Sequence, residues 1–242
     1  MIRTVETADG QMEVRVLRPE APSTTGVILY MDAFGPRLAL EGMAVRMAAM
    51  GHVVVLPDLF YRFGPYGPFD PLTAFGDPDT RGQLMAMLGA TTQEMTQRDT
   101  APLLDLLTAE GATGPIATVG YCMGGARALT AAAAYPDRIR AAASLHGGNL
   151  ASDQPDSPHL RAAEIKARVY VGSAGVDRSF PPEQSARLAQ ALREAEVDHQ
   201  IENYVGCQHG WCVPDHSVHD ATGAERHWRR IEALFAECLT TG

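Results

Sequence analysis

Residues 120–124 read Gly-Tyr-Cys-Met-Gly, between the apolar run Pro115–Val119 and the Ala-rich stretch Gly125–Ala134. Glycines two places either side of a nucleophilic residue, between a strand and a helix, form the pattern of a nucleophile elbow, here with cysteine in the serine position. Such a turn holds its central residue in a strained backbone conformation and pushes the side chain out over the sheet edge. The flanking glycines remove the clashes that so tight a turn would create. Met123 opens the following helix, so its backbone N–H and the positive end of the helix dipole face whatever Cys122 attacks. The implied chemistry is attack by a thiol on an electrophilic carbon beside a ready oxyanion site.

A thiol is only slightly ionised at neutral pH, so a catalytic cysteine needs a base within reach and a carboxylate to orient that base. Both follow in the chain. The loop Gly172-Ser-Ala-Gly-Val-Asp177-Arg-Ser-Phe-Pro181 comes after an apolar run at Arg168–Val171, which puts Asp177 just past a strand end. Val205-Gly-Cys-Gln-His209-Gly210-Trp211 comes after the run His199–Tyr204, which puts His209 in the next such loop. The order nucleophile, acid, histidine is the one α/β-hydrolases use. With His209 as base, activity is expected to rise through a pKa of about 6.5, the ordinary histidine value. His146 ends another predicted strand at the same edge, before Gly147-Gly148, where pocket lining, capping and core packing all stay open.

Cys207, His209, Cys212 and His216 also spell C-x-H-x2-C-x3-H, residue types that suit zinc. The set lacks the usual C-x2-C spacing and would close on one metal only if the loop folded back on itself. No metal or cofactor is therefore expected, and Cys207 and Cys212 read as small packing residues.

The elements that must carry these groups are legible from periodicity. Met12–Leu17, Val27–Met31, Val53–Pro57, Ile116–Val119, Ala141–Leu145, Val169–Val171 and His199–Tyr204 read as strands, with Thr4–Thr7 as one more at the start. Leu38–Met50, Gln93–Glu110, Met123–Ala134, Pro182–Glu194 and Ala221–Cys238 read as helices. The alternation predicts an α/β-hydrolase fold in one domain over residues 1–242. Its central sheet of about seven to eight strands is mostly parallel, has helices on both faces, and collects functional groups at the strand carboxyl ends. One segment breaks the rhythm: Phe60–Asp79, rich in proline, glycine and aromatics including Tyr61, follows a strand end and is expected to help wall the pocket.

With 20 Lys and Arg against 29 Asp and Glu, the net charge is −9, which disfavours nucleic acid and anionic membranes as partners. No apolar run approaches the roughly 20 residues of a membrane helix. The expected partner is a small molecule, and the expected setting is cytoplasmic, with the four cysteines mostly reduced and the chain a monomer or homodimer.

Over nearly its whole length the chain resembles the dienelactone hydrolase, or carboxymethylenebutenolidase, family of α/β-hydrolases. The matching pieces are Met31-Asp-Ala-Phe-Gly35, Pro57-Asp-Leu59, Gly120-Tyr-Cys-Met-Gly-Gly125, Gly175-Val-Asp177 with Pro181 behind it, and Gln208-His-Gly-Trp211. The resemblance implies a Cys122–Asp177–His209 triad with an oxyanion hole from the backbone N–H groups of Met123 and Ala33. Asp32 stands where dienelactone-cleaving members carry a glutamate that holds the resting thiol and takes its proton. Those members bind the substrate carboxylate with two arginines; Arg81 corresponds to one, while Val213 stands in place of the other. A more apolar lactone or small ester, received by Phe34, Trp211 and the aromatic loop, is the resulting expectation. Two other functions compete with hydrolysis: a thiol redox or deglycation protein, which would not need Asp177 and His209, and a non-catalytic ligand-binding relative.

Overall fold

The computed structural model describes residues 1–240. Eight strands form one sheet: β1 (Ile2–Thr7), β2 (Gly10–Leu17), β3 (Gly26–Tyr30), β4 (Val53–Pro57), β5 (Ile116–Tyr121), β6 (Ile139–Leu145), β7 (Arg168–Val176) and β8 (His199–Gln208). Their spatial order is β1-β2-β4-β3-β5-β6-β7-β8. β1 and β2 pair antiparallel, as do β2 and β4, and every other neighbouring pair is parallel. The central strands β3, β4 and β5 are buried at every position, as unbroken runs of Val, Ile, Leu and small residues require when helices cover both faces.

The helices are α1 (Leu38–Ala49), α2 (Pro78–Ala90), α3 (Gln93–Ala109), α4 (Met123–Ala134), α5 (Pro182–Glu194) and α6 (Ala221–Cys238). Side-chain alternation along β5 shows the two covered faces. The Thr118 hydroxyl donates to Ala128 O of α4 at 3.0 Å, whereas Tyr121, three residues on, reaches His227 of α6 at 3.1 Å. On the α6 face, Arg46 of α1 pairs with Glu225 at 2.6 Å and lies over the Trp228 ring. Five of the six helices follow the sequence expectation.

Helix α2 is the exception. Asp77 caps it by accepting from Thr80 N at 2.9 Å, and Pro78 occupies its first turn, so the end of the expected loop is a helix start. Only Leu84 and Met87 of α2 are buried, too narrow an apolar stripe to stand out by periodicity. Strands β7 and β8 also run further than expected, through Val176 and Gln208, so Asp177 and His209 are the first residues past their strands.

The turn from β5 into α4 is the tightest junction. A Cβ on Gly120 would collide with the Gly124 carbonyl, and one on Gly124 with the Tyr30 and Met31 carbonyls at the end of β3. Both obstacles are backbone, which cannot move aside as a side chain can. Gly124→Ala is therefore expected to destabilise the fold by about 1–3 kcal/mol or more, as overpacking does. Gly82→Ala on α2, where a Cβ meets nothing within 4 Å, should be neutral or stabilising by about 0.5–1 kcal/mol. Urea melts of the two variants check the contrast; equal stability would mean that the β5–α4 turn tolerates a side chain.

Candidate active site

Cys122 sits between β5 and α4 with φ 54° and ψ −118°, left-handed backbone that few non-glycine residues adopt. The ladder explains how it is held: its N–H is shared between Leu145 O and His146 Nδ1, each at 3.1 Å. No side chain caps α4 at Cys122, so the first-turn N–H groups are not consumed by a capping residue. Met123, which begins the helix, lines the same cavity as Cys122. Ala33 lies in the buried turn after β3, which Gly124 brings against the start of α4.

A cavity of about 780 Å³ opens at this strand edge, and Cys122, Asp177 and His209 all line it. His209 Nδ1 donates to Asp177 Oδ2 at 2.7 Å, which leaves Nε2 as the ring's other nitrogen for chemistry. The second Asp177 oxygen accepts from Ser179 N at 2.8 Å and Ser179 Oγ at 2.6 Å. Ser179 is tied in turn through its carbonyl to Asn149 N at 2.7 Å, so the loops after β6 and β7 brace the carboxylate together.

The electrostatics follow from these contacts. Burial alone would raise the Asp177 carboxyl, but hydrogen bonds and charge from His209, with the two Ser179 donors, hold it below the usual carboxylate value. Burial would likewise lower His209, yet the Cys122 sulfur and the Asp177 carboxylate outweigh it and push the imidazole up to about 10. Sequence alone suggested a value near that of free histidine; the Cys122 sulfur and the Asp177 carboxylate beside the ring favour its charged form.

Of the remaining expected residues, His146 reaches the Cys122 backbone N–H through Nδ1, while Asp32, Phe34 and Tyr61 are engaged elsewhere. Asp32 is fully buried, and its carboxylate is taken up by Arg37 at 2.7 and 2.9 Å, His216 at 3.1 Å and Phe34 N at 3.0 Å. These bonds organise the turn that carries Ala33. Phe34 packs edge-on against Phe75 and His216 and, with Tyr61, lines a separate cavity of about 500 Å³. Tyr61 is held there by Thr7 at 2.6 Å and Asp99 at 3.0 Å. Arg81 borders a different depression, which shares Met85 with the Cys122 cavity. Trp211 is wholly buried behind the site, tilted against Tyr204 and edge-on to His146, and His146 is 1 % exposed. Neither His146 nor Trp211 lines the cavity.

The aromatic loop is not the cavity wall either; Tyr66 and Phe69 stack on one another, and Tyr66 anchors to Asp58 at 2.6 Å. Met85, Leu88 and Gly89 of α2 form that wall instead, with Met123 and Ala126 of α4. Sequence reasoning missed Arg127 and Gln93, which line the same space. Arg127 is 8 % exposed, gives one guanidinium nitrogen to Thr91 O, and has its Nε buried with no protein partner. Among the described residues no carboxylate forms an ion pair with it. The available signal was a single charged residue in the otherwise uncharged stretch Met123–Ala134.

Cys207 and Cys212 are buried, and no group of three or more His, Cys, Asp or Glu side chains gathers to hold a metal among the described residues. His209 and His216 instead turn to separate carboxylates, Asp177 and Asp32. No described helix is long and apolar enough to cross a membrane.

Comparison with known proteins agrees with this architecture. The model of the dienelactone hydrolase family matches residues 12–239. A carboxymethylenebutenolidase of Rhodococcus opacus is 28% identical over 231 residues, covering 92% of this chain and 86% of that protein. A Klebsiella pneumoniae structure assigned as a dienelactone hydrolase superposes with a TM-score of 0.84 at 21% identity, over 98% of this chain and 97% of the other. A dienelactone hydrolase-like promiscuous phosphotriesterase from metagenomic libraries superposes with a TM-score of 0.78 at 24% identity, over 98% of each chain.

The raised His209 has a measurable sign. Its imidazolium persists until pH approaches about 10 and is lost above it, so a step that needs its proton should fail only on the alkaline side. The pH profile of kcat/KM for a short ester is expected to fall near that value. Asp177→Asn, which removes one of the raising charges, should move the fall to lower pH. A fall near pH 6.5 in the wild type would show that sulfur and carboxylate do not hold the proton on the ring.

Proposed function

The chain belongs to the dienelactone hydrolase family of carboxylic-ester and lactone hydrolases, and on that premise we propose that it cleaves its substrate through Cys122 as nucleophile, His209 as proton carrier and Asp177 as orienting carboxylate. The observation that carries this reading is the meeting of these three side chains at one cavity, with His209 Nδ1 fixed on Asp177 at 2.7 Å. Three groups far apart in sequence share the edge where an α/β sheet presents its functional loops.

His209 takes the proton of the Cys122 thiol. The sulfur attacks the carbonyl carbon, and the carbonyl oxygen takes the negative charge beside the N–H groups of Met123 and Ala33. As the carbon–oxygen bond to the leaving group breaks, the His209 imidazolium donates its proton to the departing alkoxide, and a thioester remains. The sulfur then carries no charge, so one of the influences that raised His209 is gone and the neutral ring can act as base. It takes a proton from water as the water oxygen attacks the thioester; collapse releases the acid and restores the thiolate and the imidazolium. One residue thus serves as acid and then as base because its neighbour changes charge between the half-reactions.

The cavity favours a lactone or short ester with an apolar body along Met85, Leu88 and Ala126 and a polar or anionic end toward Arg127 and Gln93. This revises the more apolar substrate expected from Phe34, Tyr61 and Trp211. Burial lowers the Arg127 guanidinium to about 10, still charged at neutral pH, and an ion pair with substrate would meet that charge.

Hydrolysis of a panel of lactones and short aryl esters is expected to disappear in Cys122→Ala, and Cys122→Ser should be slower by about a hundredfold or more because a hydroxyl holds its proton far more tightly. Turnover unchanged in Cys122→Ala would overturn the assignment. Arg127→Gln should raise KM about tenfold more for a carboxylate-ended ester than for its neutral methyl ester, the effect of one lost charged contact. An equal change in both would remove Arg127 from substrate recognition.

A further inference from the structure

His146 carries two unfavourable features at once. Its φ is 39°, outside the usual range for a residue with a side chain, and its Nε2 is buried with no protein partner. Neither is forced by the ladder that ends beside it, since His146 N donates to Gly172 O at 2.8 Å in ordinary sheet fashion. What the conformation achieves is to turn the ring back toward the elbow. Nδ1 accepts the Cys122 backbone N–H at 3.1 Å, although Leu145 O already accepts the same N–H at 3.1 Å. Accepting at Nδ1 requires that the ring's hydrogen be on Nε2, the atom left unpaired. The same ring meets the His209 ring edge-on, with centroids 4.8 Å apart, and is backed by Trp211 at 5.3 Å and Tyr121 at 5.9 Å.

We propose that His146 is a positioning residue for the reaction: its unprotonated Nδ1 fixes the backbone of Cys122, and its ring buttresses the imidazole of His209. The inference rests on the reading of Cys122 as nucleophile and His209 as proton carrier, and assigns His146 no contact with substrate. A strained nucleophile held only by Leu145 O could pivot about that single bond. A second acceptor from another direction defines the direction of its N–H and, through it, the place of Cβ and sulfur. Because one ring touches both partners, the distance between thiol and imidazole is set by a third rigid body. Burial and the neighbouring histidines His209, His216 and His227 keep His146 neutral, so it does not oppose the imidazolium beside it.

Two variants separate acceptor from backbone. His146→Asn keeps an acceptor close to the place of Nδ1 and tolerates left-handed φ, whereas His146→Gly tolerates the conformation but has no acceptor. With a short aryl ester, His146→Gly is expected to lose about tenfold or more in kcat with little change in KM, the cost of a misplaced reacting group, and His146→Asn to recover most of it. Alkylation of Cys122 by iodoacetamide should slow in the glycine variant and recover in the asparagine one. Glycine and asparagine variants with equal kcat would overturn the proposal, as would a glycine variant as active as the wild type. A 15N-histidine NMR spectrum of the unmodified protein decides even if the glycine variant does not fold. The neutral Nε2–H tautomer of His146 is expected near neutral pH, and an Nδ1–H tautomer, unable to accept from Cys122, would overturn the inference. Loss of cysteine dependence in ester turnover would instead strike the reading on which it rests, so the two failures are distinguishable.

Discussion

The left-handed turn at Cys122 is the constraint around which the site is arranged. A residue with φ 54° between a strand and a helix is stable only if the chain passes close on both sides, and Gly120 and Gly124 permit that approach. The same packing draws the end of β3 against the start of α4, which brings the Ala33 turn to the helix N-terminus. It also leaves the start of α4 without a capping side chain. The side-chain direction of the thiol and the backbone donors beside it are thus consequences of one steric solution.

The groups opposite the elbow are organised differently, by charge and hydrogen bonds in place of steric fit. Asp177 has both oxygens occupied, by His209 and by Ser179, and Ser179 is held by Asn149. Arg37 joins Asp32 after β3 to Asp215 after β8, with bonds of 2.6–2.9 Å on both sides. Packing sets the cysteine and a polar mesh sets the histidine. The two systems meet at His146, which contacts Cys122 through a ring nitrogen and His209 through an edge-on ring contact.

Much of this was legible in the chain because it depends on local rules. The elbow is written as Gly120, Cys122 and Gly124, and α4, α5 and α6 fall on their expected bounds because proline, alanine and apolar periodicity agree there. Asp177 and His209 could be placed because a strand end fixes the sheet edge on which a residue emerges. Strand ends do not fix where a side chain then points. Asp32, Phe34 and Tyr61 follow strands at the correct edge, but partners distant in sequence, His216, Phe75 and Asp99, turn them into other networks. Helix α2 escaped notice because its buried stripe is two residues wide, and with it went the cavity wall. Arg127 belongs to the same class: a lone charge in an alanine-rich helix signals a polar purpose, but only the fold reveals the cavity beside it.

The link between Arg37 and Asp215 spans 178 positions of sequence, and the pair of Cys122 and His209 also bridges separate parts of the chain. During synthesis, β3, β5 and the elbow emerge well before β8. A growing polypeptide therefore displays its cysteine thiol while the imidazole that the proposed mechanism pairs with it, and the carboxylate that clamps Arg37, are still being made. On the proposed mechanism the thiol lacks its proton acceptor until then, so its nucleophilicity would arrive with β8. An accessible sulfur would thus stay muted while the surrounding pocket is unfinished.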